Sequence, residues 1–304
     1  VFLRCWHNFH VEKFFLLICA KVTYFQLDDS TELIIIFVNS HLTCFEKTVI
    51  KMHITEKKYY TNYHKLIGYK IPDLLQRYNF NAPMPDIGYT TRTFAVYSAN
   101  IEGNPLDLNS YMNFKLVEQK FKPQKEVAEI DNLVQAYQYA QSHDLNEPAF
   151  LKCHTLFSKT LLIKSKRGRY RDEKVGIFSA KGLVYLAIEP EYVAGKMREL
   201  YNGIEQLLNS KLDAAEVFYH AALLHLLFVH IHPFMDGNGR GARLLEKWFI
   251  AQLLGKHLWN LSSEQYYKDH RDEYYENIHL GVNYYELDYD LCLPFLSMLP
   301  NCLA

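Results

Sequence analysis

The chain has 304 residues, 49% of them hydrophobic, with 33 Lys and Arg against 34 Asp and Glu, for a net charge of −1. That length fits one large domain or two small ones. The balanced charge provides no broad basic field, which argues against a nucleic-acid partner. Six cysteines (Cys5, Cys19, Cys44, Cys153, Cys292, Cys302) show no C-x-x-C spacing; neither a disulfide framework nor zinc is expected, and the setting expected is reducing and cytoplasmic.

Residues 1–51 differ from the rest. They contain no Met, Gly or Pro and are rich in Phe, Ile and Cys, and Met52-His-Ile-Thr-Glu-Lys-Lys looks like an ordinary protein start. The segment reads as upstream reading frame rather than an evolved domain. The competing reading is a small β-rich extension, because Val22–Leu27 and Thr31–Val38 have strand composition. Its longest apolar run, Phe14–Ala20, is far short of the roughly 20 residues that span a bilayer, so no membrane partner is expected.

From Met52 onward helical patterns dominate, and 52–122 reads as an N-terminal helical region. A helix from about Thr91 should stop at Gly103 and Pro105. Near its end stands Tyr97-Ser98-Ala99-Asn100-Ile101-Glu102-Gly103-Asn104; alone, Glu102 there is a mildly unfavourable surface charge. Gln124–His143 places Val127, Ile130, Val134 and Tyr137 at helical spacing. Glu147-Pro148 opens a helix through about Leu162, with Pro at a first-turn position. The basic run Lys164–Arg171 reads as a solvated loop. After it, Val175-Gly176-Ile177-Phe178 and Leu183-Val184-Tyr185-Leu186 flank Ala180-Lys181-Gly182, which predicts a small hairpin. Glu189-Pro190 opens a helix through Leu208.

Residues 213–231 form a long run without Gly or Pro, capped by Asp213 and apolar on almost every side, so a buried central helix is expected. Pro233 must break it near His232. His220, His225 and His230 lie on it at intervals of five, roughly 140° apart, and so cannot share one ion; they read as structural.

Then comes Ile231-His232-Pro233-Phe234-Met235-Asp236-Gly237-Asn238-Gly239-Arg240-Gly241-Ala242-Arg243. A second helix should run from about Gly239 to Leu254 and stop at Gly255. Gly237-Asn238-Gly239 tolerate positive φ, so their N–H groups can converge at the helix start into an anion site, which the helix dipole reinforces. Arg240 and Arg243 share a face of the first turn, an arrangement that disfavours the helix unless an anion is present and so points to a polyphosphate. Asp236 suits Mg²⁺, which takes one or two carboxylates plus phosphate oxygens and water. His232 is the nearby group suited to general-base work near neutral pH. Gly237-x-Gly239-x-x-Ala242 also fits a dinucleotide fingerprint, but that motif needs a preceding strand. No P-loop sequence occurs. Ser263–Ile278 reads as a last amphipathic helix.

The segment His232–Arg243 resembles the Fic family signature H-x-F-x-[DE]-G-N-G-R-x-x-R at every fixed position. The resemblance covers about residues 90–285. It implies a Fic-type all-α bundle with a small β-hairpin flap, a catalytic core at 123–285 and a C-terminal segment at 286–304. It implies transfer of AMP from ATP to a Ser, Thr or Tyr hydroxyl of a protein, with Mg²⁺. His232 would take the hydroxyl proton and Asp236 would hold the metal. Gly237, Asn238 and Gly239 would cradle the α-phosphate, Arg240 would hold the β-phosphate and Arg243 the γ-phosphate, while Phe234 would anchor the loop. Gly168-Arg169-Tyr170-Arg171 fits the family's G-x-[YFW]-R element. Val175, Gly176, Ile177 and Phe178 would form the flap strand that docks a target segment. Ser98-x-x-x-Glu102-Gly103 fits the family's inhibitory motif, in which Glu102 pairs with Arg243. The target protein, self-modification and a homodimer stay open, as do AMP removal, phosphoryl transfer and a silent regulatory role. Doc-type phosphoryl-transferring relatives carry Lys where Gly239 stands.

Overall fold

The computed structural model describes residues 23–28, 31–38, 41–46, 52–78, 87–116, 125–179 and 182–304. Two compact units divide between Lys51 and Met52. In the first, β1 (Thr23–Asp28), β2 (Thr31–Val38) and β3 (His41–Glu46) form an antiparallel meander in which Ile34 lies opposite both Tyr24 and Phe45. The first two strands follow the β-rich composition of that stretch.

Among the described residues the second unit is a helical bundle with one hairpin, the class expected from the sequence. Its helices are α1 (Tyr60–Leu66), α2 (Ile71–Arg77), α3 (Ile87–Ile101), α4 (Leu108–Leu116), α5 (Lys125–Gln141), α6 (Glu147–Phe157), α7 (Pro190–Leu208), α8 (Ala214–Ile231), α9 (Asn238–Leu254), α10 (Ser263–Asp269), α11 (Arg271–Ile278) and α12 (Leu293–Asn301). The hairpin pairs β4 (Gly176–Ser179) with β5 (Gly182–Leu186), with a bulge between Ile177 and Phe178.

α8 is the axis of the bundle. Asp213 accepts from the Glu216 N–H and the Glu216 side chain accepts from the Asp213 N–H, a capping box that fixes the start of the helix. Every residue from Val217 to Ile231 is buried, because α1, α2, α7, α9 and α12 pack around the helix. It is long and apolar enough to cross a membrane, but it lies inside the unit, with 89% of its residues buried. α6 starts where Asn146 accepts from the Ala149 N–H at 2.9 Å, with Pro148 in its first turn. α7 shows the core its face of Val193, Met197, Leu200, Ile204 and Leu207.

The expected single helix over Ser263–Ile278 is instead two. His270 leaves helical geometry at φ −114° and ψ 39°. The bend lets α11 reach the end of α3: Arg271 Nε and the Tyr275 hydroxyl both donate to the Ile101 carbonyl, at 2.9 and 3.1 Å. These two bonds satisfy a carbonyl that the end of α3 leaves without an intrahelical partner.

Candidate active site

The loop between α8 and α9 is held from behind. His232 closes α8 in the left-handed conformation, φ 52° and ψ 60°, the one non-glycine with positive φ among the described residues. Arg171, 3% exposed, fixes this turn. Its Nε donates to the His232 carbonyl at 2.7 Å, its Nη2 to Ile188 O at 2.5 Å, and its Nη1 to Glu173 O at 3.0 Å, while its backbone N–H donates to Pro233 O. One end of the basic run is thus a buried strut rather than part of a solvated loop. Gly168, at φ 64°, donates its N–H to His154 Nδ1 at 2.8 Å. His154 Nε2 therefore carries the proton and donates to the Asp236 carbonyl at 3.1 Å. Burial pushes His154 down to about 4, so it is neutral at pH 7. Its ring lies on that of Phe234, with centroids 3.6 Å apart, and Phe234 is fully buried.

The Asn238 side chain is committed to this loop: Oδ1 accepts from the Phe234 N–H and Nδ2 donates to Phe234 O, both at 2.9 Å. These bonds use one of the two Nδ2 protons and leave the backbone N–H at the open start of α9. Of Gly237-Asn238-Gly239, only Gly237 takes positive φ, at 86°; the other two already belong to α9. The need for glycine at 239 is one of space. A Cβ there would sit 2.3 Å from Glu102 Oε1. The first-turn N–H groups of α9 lack intrahelical acceptors, and the Glu102 carboxylate stands beside that turn at Gly239.

Both arginines are already neutralised by carboxylates from elsewhere in the fold, which corrects the argument that they require an external anion. Arg243, fully buried, donates from Nη2 to Glu102 Oε1 at 2.7 Å and to Ser98 O at 2.9 Å, from Nε to Ser98 Oγ at 2.9 Å, and from Nη1 to the Tyr274 hydroxyl at 3.1 Å. Arg240 Nη2 donates to Glu129 Oε1 at 2.5 Å. Burial opposes the charge on Glu102, but Arg243 and Arg240 outweigh it and hold the carboxyl below its ordinary value. α3 carries Ser98, and Glu102 follows its last residue; paired with Arg243 and one quarter exposed, Glu102 is a partly buried ion-pair member rather than an isolated surface charge.

His232 Nδ1 lies 3.3 Å from Val229 O. Donation there leaves the lone pair on Nε2. Burial pushes His232 down to about 4, so it is neutral at pH 7 but a weaker base than its residue type implies. Asp236 Oδ1 accepts from the Gly237 N–H at 2.5 Å and stands 3.7 Å from Arg240 Nη1. Burial raises its pKa, yet half of its side chain is exposed.

A cavity of about 680 Å³ opens here. Glu102, His232, Asp236 and Gly237–Gly239 form one wall, Val175–Ser179 of the hairpin a second, and Tyr274 and Tyr275 a third. Phe178 is 72% exposed and Ile177 41%, so the hairpin presents apolar side chains. His220 Nδ1 meets Ile54 O; His225 lies between Glu246 and Tyr274; His230 lies between Tyr289 and Ile278 O. Each of the three has its own partners.

Sequence reasoning missed Glu129, His154 and the reach of Tyr274 to Arg243. Each contact spans at least 31 residues of chain, beyond any local periodicity.

Residues 144–250 match the Fic/DOC family. A 90-residue stretch, 29% of this chain, is 36% identical to the protein adenylyltransferase Fic of Aedes aegypti and covers 16% of it. A 61-residue stretch, 20% of this chain, is 36% identical to the protein adenylyltransferase fic-1 of Caenorhabditis elegans and covers 11% of it. The matched stretches thus span less than a fifth of these curated relatives. A crystal structure of a Fic family protein from Desulfovibrio desulfuricans superposes with a TM-score of 0.65 at 24% identity, over 81% of this chain and 72% of that one. A Fic domain containing signaling protein from Bacteroides thetaiotaomicron superposes at 0.57 and 21% identity, over 80% and 92%. At such identities the likeness shows the fold alone.

Proposed function

The chain belongs to the Fic/DOC family, and on that premise we propose that it transfers AMP from ATP to a Ser, Thr or Tyr hydroxyl of a protein, under restraint by Glu102. One observation carries this reading. The Glu102 carboxylate stands beside the first turn of α9, gripped by Arg243 and within 2.3 Å of where a Gly239 Cβ would stand. A helix N-terminus with bare N–H groups is built for phosphate, and here an internal anion stands beside it.

In this reading the attacking hydroxyl gives its proton to His232 Nε2. Its oxygen bonds to the α-phosphorus, and the bond from that phosphorus to pyrophosphate breaks. The arriving phosphates raise the basicity of His232, since nearby negative charge favours the imidazolium. The first-turn N–H groups of α9 take the α-phosphate oxygens. Arg240 and Arg243 take the charge that develops on the leaving pyrophosphate, so Arg243 must first let go of Glu102. Asp236, half exposed at the cavity, is the carboxylate that would hold Mg²⁺, with phosphate oxygens and water completing the shell. When bound, the metal supplies charge neutralisation for the phosphates. The edge of β4 would take an extended target segment as an added strand.

A second reading is hydrolytic removal of AMP at the same site. It is favoured by the placement of Glu102 and His232 on one cavity wall, where the carboxylate could orient water. The test is incubation of the Glu102→Gly protein with α-labelled and γ-labelled ATP. Label from the α-position alone supports AMP transfer, and label from the γ-position alone means phosphorylation. No label from either, with lysate protein present, would defeat the transferase reading.

A further inference from the structure

We propose that Glu129 is the positioning residue for Arg240, and that it limits how closely this arginine pairs with Asp236. The inference rests on the nucleotide reading above and goes beyond it.

Arg240 is 6% exposed. Its one close carboxylate partner is Glu129 Oε1, at 2.5 Å from Nη2. Asp236 Oδ1 stands further off, at 3.7 Å from Nη1. The Nε–H of Arg240 is buried and has no hydrogen-bond partner among the described residues. A buried guanidinium with an idle donor is poised for a further acceptor, because a donor left unmet in the interior costs free energy.

Glu129, 8% exposed on α5, is itself fixed. Its Oε2 accepts from Asn104 Nδ2 at 3.1 Å. Asn104 in turn accepts the Leu106 N–H at 3.0 Å and donates to Glu126 O at 3.1 Å. One carboxylate oxygen is therefore pinned by a rigid turn while the other orients the arginine. Arginine has a planar fork of five donors. Anchoring one end fixes where the remaining donors point.

Without Glu129, the nearest carboxylate to Arg240 is Asp236. The guanidinium would swing toward it and consume the group that faces the cavity. Glu129 therefore serves two ends: it aims the arginine at the β-phosphate and holds its pairing with Asp236 to the looser contact of 3.7 Å.

The test uses the Glu102→Gly protein, full chain, and calorimetric titration with AMP and with ADP, which differ by the β-phosphate. Glu129→Ala should weaken ADP binding by about tenfold or more, the weight of one charge-assisted hydrogen bond, and leave AMP binding within about twofold. Glu129→Gln keeps a carbonyl acceptor toward Arg240 and should recover most of the ADP affinity. In an Arg240→Ala background, Glu129→Ala should have no further effect on ADP. Equal losses for AMP and ADP would make Glu129 merely structural and overturn the proposal, as would no loss at all. If Glu129→Ala does not fold, Glu129→Asp, one methylene shorter, must show the same ADP-selective loss. If the Glu102→Gly parent binds neither nucleotide, the nucleotide reading itself falls, and this inference with it.

Discussion

Arg243 and Glu102 meet at 2.7 Å across 141 residues of chain, and the arginine end of that pair is fully buried. The pair joins the end of α3 to the start of α9. Removing the carboxylate strands the cation. Glu102→Gly should therefore lower stability without nucleotide, toward the lower end of the roughly 3–5 kcal/mol typical of broken buried pairs, because a quarter of the Glu102 side chain remains exposed. Mg–ATP should restore the unfolding midpoint through ligand linkage. Autolabelling from α-labelled ATP should rise clearly above wild type. Labelling no stronger than wild type across several ATP and metal concentrations would refute the restraint.

His232→Ala and Asp236→Ala should fail differently. The first should abolish transfer, by a factor on the order of 10²–10⁴, and leave nucleotide binding largely intact. The second should remove metal dependence along with activity. Wild-type turnover in the histidine mutant, or chelator-insensitive activity in the wild type, would count against these roles.

Gly239→Ala tests the crowding at the helix start. An added Cβ would stand 2.3 Å from Glu102 Oε1 and 3.2 Å from Arg243 Nη1. The substitution should destabilise the wild-type chain and cost little in the Glu102→Gly background. Chemical denaturation of the four proteins of this double-mutant cycle should give a coupling of about 1 kcal/mol or more, as contacting residues do. Additive effects would mean that Glu102 does not stand beside α9.

Stability should depend on pH through the buried histidines. Burial pushes His154, His230 and His232 down to about 4 from 6.5 and also lowers His220. The unfolded chain binds protons at these residues that the folded chain refuses. Stability should therefore be level above pH 6.5 and fall as the pH drops toward 4, by about 1.4 kcal/mol per pH unit for each histidine. Glu102 acts in another window: its carboxyl is held below its ordinary value, so its contribution is lost only under about pH 4.5. Urea midpoints at pH 7.5, 6.5, 5.5 and 4.5 would check this; no decline between the second and the last would disprove the neutral-histidine assignment.

What was legible in the sequence follows from the range of the interactions. The course of α8, its break before Pro233 and the stop at Gly255 depend on caps, Pro and Gly within a few residues. The neutralisation of Arg240 does not: its carboxylate lies 111 residues away, and nothing near Glu129 marks it. The bend at His270 was likewise hidden, because no Gly or Pro announces it and the bonds that accompany it reach the distant carbonyl of Ile101. The pairing of Glu102 with Arg243 came from family resemblance alone; physical reasoning on the sequence assigned Glu102 to the surface.

The backbone at His232 has a consequence for evolution of the fold. A side chain in left-handed geometry costs about 1–2 kcal/mol relative to the right-handed region, and glycine, which favours that position after a helix, would escape the cost. Replacing His232 with glycine should therefore yield a catalytically dead protein that melts at a higher temperature than wild type. Drift toward stability at this position would lead away from activity, so selection for turnover is what would keep an imidazole there.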